Sequence, residues 1–284
     1  MAILTELSRN VHKVNIHGSG PHRFMLMSDL HWDNPHCQRD LLKDHLDYAL
    51  ENQIPVLMNG DTFCLMQGKY DPRRSKDNIR PEHNVSNYLD AVIQDAVEWF
   101  KPYASIIAFA GYGNHETSII RNCETDPLRR WADLMNATTP HNLYIGGYGG
   151  WLVFTQTRPG STGSLAWRLK YFHGAGGGGP VTRGVIQNQR MMAAVDGADG
   201  TWMGHVHEMY TMVNAVERLD RKNNVVMRDV THIRTPTYKE EYGDGYMDFH
   251  VERGRPPKPV GCYELVLTPS KDKTRLVAQT LQHR

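Results

Sequence analysis

Cysteine is scarce in this sequence, and the few cysteines present do not occur in pairs. Cys37, Cys64, Cys123 and Cys262 are far apart among the 284 residues, and no Cys-x-x-Cys pair occurs. This spacing argues against a disulfide framework and against a thiolate zinc site, and it fits a reducing compartment. We therefore expect a cytoplasmic protein.

Neither a long apolar run nor an excess of one charge is present. No run approaches the roughly 20 apolar residues that cross a bilayer, and residues 1–10 lack the apolar core of a signal peptide. We therefore expect no membrane partner. Lys and Arg number 32 against 31 Asp and Glu, a net charge of +1, so the whole chain neither attracts nor repels nucleic acid strongly. Binding of an anion would have to be local.

Strand and helix patterns alternate along the first half of the chain, and the end is mostly β. The predicted strands are 24–28, 54–59, 105–110, 143–148, 151–157, 165–172 and 201–203, and the predicted helices are 41–50, 84–100, 126–135 and 184–195. Turn signals occur at 158–163, 221–224 and 270–272. The alternation predicts an α/β fold with a parallel sheet covered by helices. We expect one domain over residues 1–284, with a β-rich part from about 208.

Histidine is abundant, with 15 residues, and several histidines lie in short polar clusters that follow predicted strands. The clusters are Asp29-Leu30-His31, Gly60-Asp61, Gly113-Asn114-His115-Glu116, His173-Gly174 and Gly204-His205-Val206-His207. In open α/β sheets, ligands bind beyond the carboxyl ends of the strands, so these clusters are expected to meet in space. Burying so many polar groups without partners would cost several kcal/mol, so a purely structural role is disfavoured.

The clusters offer too many donors for a single catalytic zinc, which uses three protein ligands. The seven donors are Asp29, His31, Asp61, Asn114, His173, His205 and His207. Imidazole and carboxylate without thiolate suit manganese, iron, zinc or nickel and disfavour calcium or copper(I). We therefore predict two divalent ions, with manganese preferred. If the backbone is extended, residues two apart face the same way and neighbours face opposite ways, so His115 would point away from a metal held by Asn114.

The five clusters, in this order, resemble the signature of the calcineurin-like metallophosphoesterase superfamily over about two thirds of the chain. The resemblance implies an α/β/β/α sandwich of two facing mixed sheets flanked by helices. It assigns the ligands to two ions: Asp29, His31 and His207 to one, Asn114, His173 and His205 to the other, with Asp61 bridging them. It also implies that His115 donates a proton to the leaving oxygen or stabilises the phosphoryl charge.

The second cluster departs from the Ser/Thr protein phosphatases of this superfamily. Those enzymes continue Gly-Asp-x-x-Asp-Arg-Gly, in which the later Asp orients the catalytic His and the Arg grips phosphate. Here Cys64 and Leu65 stand at those two positions. The departure argues against a His–Asp dyad and against protein-phosphatase activity. Segments 173–184 and 235–261 resemble uncharacterised phage and bacterial members, so the cytoplasm would be that of the host if the chain is phage-encoded.

Substrate contacts are predicted in two stretches beside the clusters. Gly176, Gly177, Arg183 and Arg190 could bind phosphate, although a surface loop and a solvated helix face explain them as well. Lys69, Arg73, Arg74, Lys76 and Arg80 could steer a polyanion, against the alternative of a solvated loop.

The sequence thus predicts a dinuclear phosphoesterase that hydrolyses P–O bonds by a metal-activated hydroxide. Its expected partner is a phosphate-ester substrate, and a phosphodiester such as DNA, RNA or a nucleotide is favoured over a monoester. The alternatives are a phosphomonoesterase and a catalytically silent scaffold. The sequence identifies no protein partner.

Overall fold

The computed structural model describes residues 3–18, 20–65, 78–138, 140–157, 163–220, 222–243, 245–246, 249–272 and 275–284. Most of the predicted basic stretch, with Lys69, Arg73, Arg74 and Lys76, lies outside these ranges. Most of the predicted turn at 158–163 also lies outside them. The structure therefore does not test either prediction.

The described residues form two β-sheets and six α-helices. The strands are β1 (Ile3–Ser8), β2 (Val11–Ile16), β3 (His22–Met27), β4 (Val56–Asn59), β5 (Ile107–Gly111), β6 (Tyr144–Ile145), β7 (Gly149–Thr157), β8 (Ser164–Phe172), β9 (Gly200–Met203), β10 (Tyr210–Leu219), β11 (Val225–Arg234), β12 (Cys262–Pro269) and β13 (Leu276–His283). The helices are α1 (Arg39–Glu51), α2 (Tyr88–Phe100), α3 (Asn114–Cys123), α4 (Pro127–Thr138), α5 (Val185–Ala194) and α6 (Phe249–Glu252).

The two sheets are mixed and face each other in an α/β/β/α sandwich, as predicted. One has six strands in the order β13-β12-β3-β4-β5-β6, and the other has seven in the order β1-β2-β7-β8-β9-β11-β10. Strands β3, β4, β5 and β6 are parallel, and β12 adds antiparallel beside β3. In the second sheet, β9 is parallel to both of its neighbours, β8 and β11.

Alternation along the central strands divides the core into two layers. On β3, Phe24 and Leu26 belong to the apolar cluster between the sheets, whereas Met25 and Met27 belong to the cluster beneath the helices. In the helix-side cluster, apolar residues of α1, α2 and α4 pack against residues of the strands and loops. Both faces of the strand are covered, which explains why the sequence reads as a continuous apolar run. No α-helix in the described part of the chain is long and apolar enough to span a membrane.

Several elements differ from the sequence prediction. Strands β1 and β2 and the short helix α6 were not predicted. Helix α3 was not predicted, because its buried face carries Glu116 and Ser118 beside Ile119 and so lacks an apolar period. The strand predicted over 143–148 shortens to β6, and Gly146 and Gly147 continue beside β5 with single hydrogen bonds to Ala110 and Tyr112.

The parallel strands bring the polar clusters to one edge of the molecule. Met27 of β3 pairs with Met58 of β4, and Asn59 of β4 pairs with Gly111 of β5, so their carboxyl ends are level. The loop after β3 also bonds the loop after β4: the Asp29 amide donates to the Gly60 carbonyl at 3.0 Å. These contacts fix the two loops side by side.

Candidate metal centre

Six of the seven predicted ligands lie in the loops that follow β3, β4, β8 and β9, and the seventh, Asn114, begins helix α3 after β5. The first group consists of Asp29, His31 and His207, whose ligand atoms all lie within 4.8 Å of one another. Asp29 Oδ1 is 3.4 Å from His207 Nε2. Both ring nitrogens of His31 are buried and have no hydrogen-bond partner among the described residues. An imidazole buried in this way is costly unless something else coordinates it.

The second group consists of Asp61, His173 and His205, whose ligand atoms also lie within 4.8 Å of one another. His173 Nε2 is 3.1 Å from Asp61 Oδ2. The Nδ1–H of His173 donates to the Asn59 carbonyl at 2.8 Å, which aims Nε2 into the group. Asn114 Oδ1 lies 2.7 Å from His205 Nδ1 and 3.3 Å from His173 Nε2, so the amide borders the same group.

The two groups adjoin. Asp29 Oδ1 of the first group lies 3.9 Å from His173 Nε2 of the second. The main chain also joins them, because the His205 amide donates to both carboxylate oxygens of Asp29 at 2.9 and 3.1 Å. Several Asp and His groups that could hold metal therefore share one buried site.

The electrostatics of the site favour positive charge. Burial would lower the pKa of His173, but the carboxylates of Asp61 and Asp29 outweigh it and raise the pKa to about 10. Burial likewise opposes the rise of the His207 pKa to about 9, which the bonds to Asp29 and Glu241 cause. Asp29 keeps a pKa of about 2 despite its burial, because His173 and His207 stabilise the carboxylate. A bound divalent cation would supply the positive charge that the protons on His173 and His207 supply to these carboxylates.

The ligands do not converge by the extended geometry that the sequence analysis assumed. Asp29, His31, Asp61, His205 and His207 all adopt positive φ, between 46° and 71°. Asn114 and His115 instead form the first turn of α3. Left-handed backbone is uncommon for residues other than glycine and clusters at functional sites. Tight left-handed turns, not strand alternation, point these side chains inward.

Glu116 is a structural member of the site to which the sequence analysis gave no role. Its carboxylate is fully buried and accepts three backbone N–H groups, from Asp61 at 3.1 Å, Phe63 at 3.0 Å and Gly113 at 2.8 Å. Burial and the charge of Asp61 raise the pKa of Glu116 to about 7. Glu116 thus ties the loop after β4 to the start of α3. The only signal was its place in the cluster after His115.

His115 lies at the edge of the first group. Its ring packs edge-on against His31, with centroids 4.7 Å apart. The Nδ1–H of His115 donates to the carbonyl oxygen of Cys64 at 2.6 Å. The Cys64 sulfur lies within 4.8 Å of a ring nitrogen of both His31 and His115. Burial raises the pKa of this thiol, and its Sγ accepts a hydrogen bond from Asn34 Nδ2 at 3.3 Å.

The predicted substrate residues lie outside the two groups. Arg183 lines a groove of about 340 Å³ together with Glu208, the residue that follows His207. Arg190 is exposed on α5. Gly176 has φ +72°, and a side chain at Gly177 would meet only open space. The glycines therefore border solvent.

A segment that sequence analysis left unassigned, Thr235–Glu241, covers the first group. The Tyr238 amide donates to the Asp29 carbonyl at 3.0 Å, and the Thr237 hydroxyl donates to the same oxygen at 2.8 Å. Glu241 Oε2 lies 3.4 Å from Nδ1 of His207. More than 30 residues separate Glu241 from His207 in the sequence, so no local pattern could have linked them.

Comparison with known proteins adds two distant likenesses in fold. No protein-family model and no curated protein matches the sequence. Among solved structures, the chain is similar to GAP50, the anchor in the inner membrane complex of Plasmodium, at 11% identity and a TM-score of 0.46, over 94% of this chain and 86% of that one. It is also similar to a conserved uncharacterized protein of Streptococcus pneumoniae TIGR4, a predicted phosphoesterase, at 12% identity and a TM-score of 0.32, over 93% and 99%. Likenesses this distant assign no activity to the chain.

Proposed function

We propose that this protein is a dinuclear metal-dependent phosphoesterase of the calcineurin-like type. The observation that carries the proposal is the pair of adjoining groups, Asp29, His31 and His207 beside Asp61, His173 and His205, buried at one edge of the sandwich. The first group contains an imidazole, His31, without a hydrogen-bond partner among the described residues. Such a donor set is costly to bury unless a cation completes it.

The donors fit divalent transition metals. Imidazole nitrogens and carboxylate oxygens suit manganese, with iron, zinc or nickel as alternatives. Asp29, His31 and His207 would hold one ion, Asn114, His173 and His205 the other, and Asp61 would bridge them. Two such ions activate a water molecule and offset the charge that develops on the phosphoryl oxygens.

His115 would serve the leaving group. Its Nδ1 is engaged by the Cys64 carbonyl, so a proton delivered to the leaving oxygen comes from Nε2. The ring lies against His31, at the border of the first group. A general acid must lie within hydrogen-bond reach of the atom that it protonates. The position of His115 next to the donors supports this role.

A phosphodiester is the favoured substrate. Leu65 is fully buried where protein phosphatases carry the arginine that grips a phosphomonoester. Arg183 and Glu208 line a groove of about 340 Å³, and Glu208 is the sequence neighbour of His207. This groove is our candidate for the group on the far side of phosphorus. Arg183, Arg190 and the backbone of Gly176 and Gly177 would contact the substrate, with DNA, RNA or a nucleotide as the expected class.

The test compares hydrolysis of bis(p-nitrophenyl) phosphate and p-nitrophenyl phosphate with Mn²⁺. The wild-type protein should hydrolyse the diester faster and lose turnover on chelation. His115→Ala should lose at least about 100-fold in kcat while still binding Mn²⁺. His17→Ala, a change of an exposed histidine outside the site, is the matched control.

Three outcomes are informative. Absence of Mn²⁺-dependent hydrolysis would contradict the phosphoesterase, and Mn²⁺ binding without turnover would favour a silent scaffold. Faster hydrolysis of the monoester would reverse the substrate preference. A panel of single-stranded DNA, duplex DNA, RNA, cyclic nucleotides and mononucleotides then identifies the substrate.

A further inference from the structure

The segment Thr235–Glu241 forms one wall of the candidate metal centre. Alternate residues face the site: Thr235 Oγ1 lies 2.6 Å from Ser28 Oγ, Thr237 donates to the Asp29 carbonyl, and Glu241 meets His207. The other face contacts α1, where Tyr238 OH lies 2.8 Å from Nδ1 of His45. The wall therefore has a fixed register, with Glu241 on the metal side.

Glu241 lies at the centre of a polar network behind His207. One oxygen accepts a hydrogen bond from Lys239 Nζ at 2.6 Å, and the other lies 3.4 Å from both His207 Nδ1 and His250 Nε2. The Glu241 side chain is only 9% exposed. The main chain adds a further tie, because the His250 amide donates to the Glu241 carbonyl at 3.0 Å. The carboxylate is thus fixed from several sides.

The two nitrogens of His207 face different partners. Nε2 lies towards Asp29 Oδ1, inside the first group, and Nδ1 lies towards Glu241. Only a ring nitrogen without a proton can coordinate an ion, so His207 must keep its proton on Nδ1 when a metal is held. Histidines that bind metals usually donate the other N–H to a carboxylate or carbonyl, which sets the orientation and basicity of the ring.

We propose that Glu241 is a positioning residue that orients His207 for metal binding and thereby sets the affinity of the first ion. This inference rests on the proposed function, because it presumes that the first group holds a metal. In the second group, a different acceptor orients the histidine, because the Asn59 carbonyl accepts the Nδ1–H of His173. The effect of Glu241 is therefore confined to one of the two sites.

A simple ion pair with Lys239 is the competing explanation for Glu241. Lys239 is only 11% exposed, so removing the carboxylate alone would strand a buried ammonium and destabilise the protein for that reason. The double variant Lys239→Met/Glu241→Gln removes both charges together. It separates the loss of the bond to His207 from the cost of an unpaired charge.

The experiment measures Mn²⁺ binding by calorimetry and by the spectrum of the coupled ion pair in electron paramagnetic resonance. The full chain is compared with Glu241→Ala, Glu241→Gln and the double variant. The control is Glu240→Gln, because Glu240 accepts the Tyr242 amide and does not contact the site. Glu241→Ala should weaken one of two Mn²⁺ sites by 10- to 100-fold. Gln should recover part of the loss, because its amide oxygen still accepts the N–H.

The outcomes separate this inference from the proposed function. If the wild-type protein takes up no Mn²⁺, the dinuclear centre itself is wrong. If the wild type binds two ions and all Glu241 variants bind both within threefold of it, only the positioning role is wrong. Equal weakening of both Mn²⁺ sites would also contradict the positioning role. So would a purely structural effect, in which Glu241→Gln lowers the unfolding midpoint of the metal-free protein, the double variant does not, and Mn²⁺ affinity is unchanged.

Discussion

The ring of His115 is held by a main-chain atom, since its Nδ1 lies 2.6 Å from the carbonyl oxygen of Cys64. Ser/Thr protein phosphatases place an Asp side chain at the position of Cys64 for this purpose. A carbonyl fixes the same tautomer without adding a negative charge. The cysteine in the second cluster is therefore compatible with an oriented histidine.

The first prediction follows from this contact. Cys64→Ala keeps the carbonyl and should lower kcat by less than about threefold, whereas His115→Ala should lower it by at least about 100-fold. Hydrolysis of bis(p-nitrophenyl) phosphate with Mn²⁺ measures both variants. A loss of 30-fold or more in Cys64→Ala, with metal binding unchanged, would show that the sulfur takes part.

The second prediction concerns the buried carboxylate of Glu116. Glu116→Gln turns an N–H donor towards backbone amides of Asp61, Phe63 or Gly113, so at least one buried hydrogen bond is lost. We expect a loss of about 1–3 kcal/mol in the free energy of unfolding and weaker Mn²⁺ binding. Urea unfolding of the metal-free protein measures the first effect. Glu98→Gln, at an exposed position of α2, is the control and should change little.

The third prediction concerns the close approach of two loops. A Cβ at Gly113 would overlap the carboxylate and the amide of Asp61, so Gly113→Ala must displace the loop after β4. We expect at least a tenfold loss of Mn²⁺ affinity in calorimetric titrations. Gly20→Ala is the matched change, because nothing lies within 4 Å of a Cβ there. Equal affinity in both variants would mean that the loop tolerates the shift.

The fourth prediction concerns acid stability and uses a histidine outside the metal centre. Burial, aided by the charge of His283, lowers the pKa of His45 to about 4. In the unfolded chain His45 has a pKa near 6.5 and becomes protonated, whereas in the folded chain it stays neutral until the pH approaches 4. The free energy of unfolding therefore falls as the pH drops from about 6.5 towards 4. Between pH 7 and pH 5, the titration of His45 lowers the free energy of unfolding by about 2 kcal/mol.

His45→Gln should therefore shrink the difference in unfolding free energy between pH 7 and pH 5 by up to about 2 kcal/mol. Urea unfolding at the two pH values gives the difference, and the exposed His17→Gln should leave it unchanged. An unchanged difference in His45→Gln would mean that other groups govern the acid sensitivity.

The sequence patterns predicted a parallel sheet covered by helices and the meeting of the five clusters for a physical reason, whereas the two-sheet sandwich was implied by the resemblance to a family. Apolar runs such as 24–28 identify buried parallel strands, and the carboxyl ends of such strands meet at one edge. The sequence did not predict how the donors are aimed. Asp29 and His31 use left-handed backbone, which depends on the contacts of the folded loops and not on the local residue pattern.

The supporting residues were beyond sequence reasoning for a different reason. Glu116 acts through backbone amides 53 and 55 residues away, and Glu241 acts on a histidine in another loop. Each is a charged residue that a pattern assigns to the surface by default. Only the packed structure shows that Glu116 is fully buried and that the Glu241 side chain is only 9% exposed.

The backbone conformation that aims the candidate metal ligands also lowers the stability of the fold. Positive φ occurs at Asp29, His31, Asp61, His205 and His207. Sparsely populated backbone of this kind costs of order 1–3 kcal/mol per residue, and glycine would relieve it. Each such substitution by glycine would remove one candidate metal ligand. Selection of this chain for heat resistance alone should therefore replace residues of the candidate metal-binding loops first, and variants recovered that way should be more stable but bind Mn²⁺ more weakly.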